Sequence, residues 1–195
     1  MKKIILASAS PRRKELLALL IGDNFEVVVS SYEEDNTLAL SPKDLVLFHS
    51  LQKARDVAQK LSEGIVISAD VVVVLGKEIF GKPATPEEAK EMLTKMSRKS
   101  IDAISGLAVI DVETKKELQD FEITKVKFKE MTAKEIDDYV ATGQSLDKAG
   151  AFGIQGKAAV LIEGLEGDYS NILGLPLFKL GKLLAQTGIN IFDYK

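Results

Sequence analysis

The chain has 195 residues, of which 46% are hydrophobic and 28% charged, with a formal net charge of -3. That length and balance suit a soluble globular protein with a full hydrophobic core, and the slight acidity excludes a general electrostatic pull on nucleic acid. Cysteine is absent, which removes disulfides, thiolate metal sites and cysteine nucleophiles together and suits a reducing, cytoplasmic setting.

The apolar run Ile4 to Ala7 predicts a buried first strand. A loop of small residues leads to Ser10-Pro11, which pairs a helix N-cap with proline at the first helical position. Leu16, Leu17 and Leu20 then share one helix face. The free N–H groups and dipole of such a start attract anions. Arg12 and Arg13 lie in this first turn, where cations oppose the dipole. They are either a solvated pair or wait for an anion, and the planar guanidinium fork that suits phosphate favours the anion. The loop is not a Walker A motif, since it lacks the glycines and the Lys-Ser/Thr ending. The first residues faintly resemble an export signal, but the apolar core is too short and Arg12-Arg13-Lys14 follows at once. No run is long enough to cross a membrane.

Phe25 to Ser30 predicts a second strand, followed by the acidic cluster Glu33-Glu34-Asp35. Ser41-Pro42-Lys43-Asp44 opens a second helix reaching about Leu61, with Gly64 after it. Ile65 to Ile67 reads as a strand ending at Ser68-Ala69-Asp70, and Val71 to Leu75 continues apolar. Gly76-Lys77 turns into Ile79-Phe80, ahead of Gly81-Lys82-Pro83. Thr85 to Glu88 caps a helix through about Met96. Ile101 to Val112 and Glu117 to Lys129 are two long strands joined near Thr114-Lys115. Thr132 with Glu135 caps a helix ending at Thr142-Gly143. Lys148 to Lys157 is irregular and rich in glycine, Ala158 to Glu163 a short strand, Gly167 to Asn171 a polar turn, and Leu175 to Thr187 a final helix. Alternating strands and helices followed by a long hairpin predict an α/β protein with a mixed sheet, in two lobes around a cleft.

Several residues are candidates for chemistry. Asp70 ends an apolar strand with no helix start behind it, and ligand sites in open α/β sheets gather at the carboxyl ends of strands. Glu33, Glu34 and Asp35 read alone as a solvated loop. If one of them reached Asp70, two carboxylates and a bound phosphate would suit Mg²⁺. The sole histidine, His49, lies mid-helix and reads as structural or surface. That argues against zinc and against a Ser-His-Asp triad. Lys53 alone is a surface lysine. Gly81-Lys82-Pro83 holds Lys82 in a stiff turn, either as a phosphate ligand or as a plain surface charge. Gln155 lies in a glycine-rich stretch that a ligand can approach closely. It offers a donor and an acceptor either to a base edge or to its own loop backbone.

LASASPRRKELL (Leu6–Leu17), SYEE (Ser31–Glu34), QKA (Gln52–Ala54), SADVVV (Ser68–Val73), FGKP (Phe80–Pro83), LDKAGAFGIQGKA (Leu146–Ala158) and GDYSNILGLP (Gly167–Pro176) span nearly the whole chain. In that order and combination they resemble the Maf family of nucleoside triphosphate pyrophosphatases. The resemblance implies a single Maf-like domain over residues 1–195. Its mixed, twisted sheet with flanking helices would form two lobes around a deep cleft, similar to inosine triphosphate pyrophosphatases. It implies hydrolysis of a nucleoside triphosphate to monophosphate and pyrophosphate with a divalent cation, Mg²⁺ or alternatively Mn²⁺ or Co²⁺. A cytoplasmic homodimer with neither nucleic acid nor membrane as partner is expected.

On the matched positions, Arg12 and Arg13 would hold phosphates, with Ser8 and Ser10 shaping the loop. Glu34 and Asp70 would bind the metal and prepare the attacking water, Lys53 and Lys82 would balance charge on the phosphates, and Gln155 would contact the base. The doubled arginine and Gln155 resemble the branch acting on thymidine and uridine triphosphates. The branch acting on 7-methylguanosine triphosphate tends to carry a tryptophan after the aspartate. This chain has no tryptophan, and an alkylated purine cation calls for an aromatic face or a carboxylate. The family commonly has threonine where this chain has Val71, and a histidine near the place of Asp102. Two further alternatives are a nucleotide-binding regulator of septum formation without turnover and, on fold analogy alone, a pyrophosphatase for deaminated purines.

Overall fold

The structure, a computed structural model, describes residues 2–35 and 37–194. The strands are β1 (Ile4–Leu6), β2 (Glu26–Val27), β3 (Ile65–Leu75), β4 (Glu78–Phe80), β5 (Ser100–Asp111), β6 (Lys116–Phe128) and β7 (Ile162–Glu166). The helices are α1 (Pro11–Ile21), α2 (Pro42–Ala58), α3 (Pro86–Met96), α4 (Ala133–Ala141), α5 (Tyr169–Ile172) and α6 (Leu177–Ala185). One seven-stranded sheet has the order β2-β1-β3-β5-β6-β7, with β4 added to β3. β1 is parallel to β2 and β3, whereas the β3–β4 and β6–β7 pairs are antiparallel. The expected mixed α/β sheet with helices is therefore present.

Five elements differ from the sequence expectation, the polar turn read over Gly167 to Asn171 being in part the short helix α5. β3 does not stop at Asp70 but runs on to Leu75, because the turn at Gly76 brings β4 back to pair with Val73–Leu75. Asp70 is therefore mid-strand. β1 pairs with β3 only along Ile65–Ile67 and ends at Leu6, so Asp70 lies past the carboxyl end of that neighbour. The run from Phe25 supplies only two strand residues at the sheet edge, both exposed. α2 stops at Ala58, and the next residues tighten into i→i+3 bonds, Lys60 N–H to Val57 and Leu61 N–H to Ala58. Ala158 begins no strand: residues 157–161 form a 3₁₀ turn and β7 follows.

The chain divides into two compact units. One comprises Met1–Asp70, Ser105–Glu122 and Leu173–Lys195, the other Val71–Ile104 and Ile123–Ile172. In the first, Ala54 and Val57 of α2 pack on Ile5, Val66, Ala108 and Ile110 from three strands. Gly106 lets this happen: a Cβ there would lie 2.3 Å from the carbonyl oxygen of Val46. Backbone cannot swing aside as a flexible side chain can, so Gly106→Ala should cost about 1–3 kcal/mol, the usual range for overpacking. A thermal melt checks this, and an unchanged midpoint would show that α2 has room to move. In the second unit, Met92, Leu93 and Met96 of α3 join Ile136, Tyr139 and Val140 of α4. Phe128 and Phe152 meet edge-on there, with centroids 5.0 Å apart. Among the described residues, no helix is long and apolar enough to cross a membrane.

Candidate active site

The first unit gathers a donor-rich turn where β1 hands over to α1. Ser10 caps α1 by accepting from the Arg13 N–H, Pro11 takes the first helical position, and no acid occupies the first turn. Buried Ser8 accepts from the Ser10 N–H at 3.2 Å and from Arg13 Nη1 at 3.4 Å. Arg13 Nε donates to the Gly174 carbonyl at 2.9 Å. The guanidinium is thus aimed by two fixed oxygens, and a five-donor fork is not exhausted by them. Burial lowers the Arg13 pKa, while Asp70 and Glu34 act to raise it; an arginine so placed remains charged. Arg12 is partly exposed beside it.

Lys53, projecting from α2, joins the two carboxylates that sequence spacing left apart. Its ammonium pairs with Asp70 at 2.7 Å and also with Glu34. Asp70 is buried and the Glu34 side chain partly exposed. Burial works to raise the Glu34 pKa, but the charge and hydrogen bond of Lys53, helped by His49 and Arg13, bring it below the usual carboxylate range. Glu34 therefore stays an anion at neutral pH. Asp35 turns away, accepting from the Thr37 N–H at 2.9 Å and hydroxyl at 2.6 Å. Ser8, Ser10, Arg13, Glu34, Lys53 and Asp70 thus belong to one neighbourhood.

Lys82 and Gln155 belong to the second unit. Lys82 is exposed on the turn after β4, and the carbonyl of its neighbour Gly81 accepts from the Gly150 N–H at 2.9 Å. That bond ties the Lys82 turn to the glycine-rich segment. Gly150 has φ +67°, and Val73 and Met96 crowd the place of its missing Cβ, so only glycine suits both the backbone and the space. Further on, Gln144 Oε1 accepts from the Lys157 N–H at 3.2 Å and fills the space where a Cβ on Gly156 would stand. Gln155 is exposed between these anchors.

Sequence reasoning missed several residues. Gly174 positions Arg13; its motif, GDYSNILGLP, was visible but not its partner. His49 is fully buried, the structural of its two readings, and what the sequence did not show is its partner: Nδ1 lies 2.9 Å from the Tyr32 hydroxyl. Asp56 accepts from the Ser31 N–H at 2.7 Å and the Ser30 hydroxyl at 2.8 Å. The spacing of His49, Lys53 and Asp56 was a usable signal, because residues so placed share one helix face.

A family profile described as Maf-like protein matches residues 3–187. A dTTP/UTP pyrophosphatase of Methanococcoides burtonii is 54% identical over 193 residues, 99% of each chain. One of Bacillus cereus is 46% identical over 191 residues, 98% of each chain. Among solved structures, a HAM1 protein from Coxiella burnetii shares the fold with a TM-score of 0.56 at 16% identity, over 95% of this chain and 100% of that one. With a profile match over most of its length and relatives close to half identical, the chain belongs to the Maf-like protein family.

Proposed function

We propose that the chain hydrolyses a nucleoside triphosphate, dTTP and UTP foremost, to the monophosphate and pyrophosphate. The observation that carries this is Lys53 bridging Glu34 and Asp70 beside the Ser8–Arg13 turn, together with the printed activity of relatives near half identity. The match over residues 3–187 supports one Maf-like functional domain.

A divalent cation fits the donor set. Glu34 and Asp70 offer carboxylate oxygens, here paired with the Lys53 ammonium, and no cluster of three or more acids, histidines or cysteines stands ready among the described residues. Hard cations of the Mg²⁺ type are commonly held by one or two carboxylates plus substrate phosphates and water. Glu34 and Asp70 would hold the ion, which would supply charge neutralisation on the phosphates. Arg12, Arg13 and Lys82 would hold the phosphate chain, and Ser8 and Ser10 would shape the loop beneath it. Asp70, paired with Lys53, would accept a proton from the water whose oxygen bonds the α-phosphorus as the α–β anhydride bond breaks and its bridging oxygen leaves on pyrophosphate. Such chemistry needs positioning and charge balance more than covalent help. Gln155 would read the base. Two acids beside a triphosphate serve turnover rather than simple binding, which favours an enzyme over a nucleotide-sensing regulator.

The test is kcat/KM for dTTP, UTP, CTP and 7-methylguanosine triphosphate with Mg²⁺ and after exhaustive chelation. Activity should require the added ion and favour dTTP and UTP. Full activity after chelation would remove the metal from the proposal, and preference for the methylated purine would move the chain to the other branch.

A further inference from the structure

Residues 28–35 belong to no helix or strand, yet they carry Glu34, whose carboxylate must meet Asp70 across one ammonium. A coil without its own ladder of backbone bonds has large freedom to lose, and small misplacements of a reacting group cost rate steeply. Something outside the segment has to hold it.

That support is a single stripe of α2. His49, Lys53 and Asp56 follow one another at i, i+4 and i+7 on one helix face, and each takes a different part of the segment. Asp56 receives the Ser31 N–H and both serine hydroxyls, Ser30 and Ser31. The Ser30 hydroxyl in turn accepts from the Tyr32 N–H at 3.1 Å. Lys60, one turn further on, pairs with Asp56 at 3.0 Å and steadies it. His49 is wholly buried between the rings of Phe48 and Tyr32. Its Nε2 has no hydrogen-bond partner among the described residues. An apolar side chain would cost less at such a place; what the imidazole adds is the hydrogen bond between Nδ1 and the Tyr32 hydroxyl. Tyr32 stands two residues before Glu34, which Lys53 receives.

We propose that His49 and Asp56 are positioning residues for the hydrolysis: with Tyr32 they clasp residues 30–34 to α2 and so set the Glu34 carboxylate opposite Asp70. The inference rests on the role given to Glu34 above. It assigns no contact with substrate to either residue; both act through Glu34.

A double-mutant cycle tests it. Tyr32→Phe, Asp56→Ala and Asp56→Asn are made alone and together with Glu34→Gln, and kcat and KM for dTTP are read well below each melting temperature. Tyr32→Phe and Asp56→Ala should each lower kcat roughly fivefold or more with KM within about twofold, as expected when a reacting group is misplaced rather than a binding group lost. Asp56→Asn, which keeps an acceptor for the Ser31 N–H, should recover most of the loss. In the Glu34→Gln background the same changes should alter kcat by less than about twofold. Arg55→Ala, on α2 but directed to Glu117, should leave turnover as it is. Losses that persist undiminished beside Glu34→Gln, or a lower melting temperature with unchanged kcat, would overturn the clasp. Should Asp56→Ala fail to fold, Tyr32→Phe, which removes one oxygen, decides alone. If Glu34→Gln by itself leaves turnover intact, the role of Glu34 is wrong and the clasp falls with it; if it lowers turnover while the cycle is additive, only the clasp falls.

Discussion

Asp70→Asn should lower kcat about a hundredfold or more while the protein stays folded, the range expected when an acid–base group is removed. The substitution preserves shape and leaves an oxygen for the Lys53 ammonium, now 2.7 Å from the carboxylate. Lys53 also retains Glu34, so no charge is stranded in the interior. What is lost is the anion itself, which a proton from water or a cation would need. A position in the middle of β3 makes a large backbone shift costly and keeps the comparison clean. Steady-state kinetics with a thermal melt on the same preparation gives both halves of the result. Turnover close to that of the unaltered chain would show that Asp70 is not the acid proposed here.

Arg13→Ala and Gln155→Ala should fail in different ways. Arg13 would touch phosphate, which every nucleotide shares, and a hydrogen bond to a charged group is worth about 1.5–3 kcal/mol. Its loss should therefore reduce kcat/KM roughly tenfold to a hundredfold and alike for all bases. The Gly174 carbonyl and Ser8 hydroxyl it engages lose a partner in the same step, which adds to the loss without adding base selectivity. Gln155→Ala should instead compress the preference for dTTP or UTP over CTP at least several-fold, because a lost base contact is worth about 1–3 kcal/mol and a site built to hydrogen-bond one edge discriminates through it. The measurement is kcat/KM for each triphosphate with each variant. Equal losses across bases in Gln155→Ala would assign that residue to the loop alone.

Features determined within a few residues were legible beforehand. Ser10-Pro11 starts α1 through local capping, and the same holds for Ser41, Thr85 and Thr132 ahead of their helices. The long hairpin of β5 and β6 also lies where its apolar runs placed it, to within a residue. Features set by distant partners were not legible. Whether β3 ends at Asp70 depends on β4 returning to pair beyond it. Among three adjacent acids, charge pattern could not choose Glu34; Lys53 does, from a helix that begins eight residues later in the chain. His49 looked like a mid-helix polar residue because its partner, Tyr32, is 17 positions away. α2 ends at Ala58, short of the expected Leu61, and no proline or glycine stands between Ala58 and Gly64 to mark that end in the sequence. The site residues themselves came mainly from family motifs, and the spacing of His49, Lys53 and Asp56 shows that periodicity held more than was taken from it.

The proposed activity stands or falls on which bond is cut. Incubating the protein with dTTP and Mg²⁺ and resolving products by ion-exchange chromatography over time should show dTMP and pyrophosphate appearing in equal amounts from the first points, with no diphosphate nucleoside or orthophosphate as an early product. Thymidine diphosphate with orthophosphate, or unchanged dTTP at enzyme concentrations where it is bound, would contradict cleavage between the α and β phosphates.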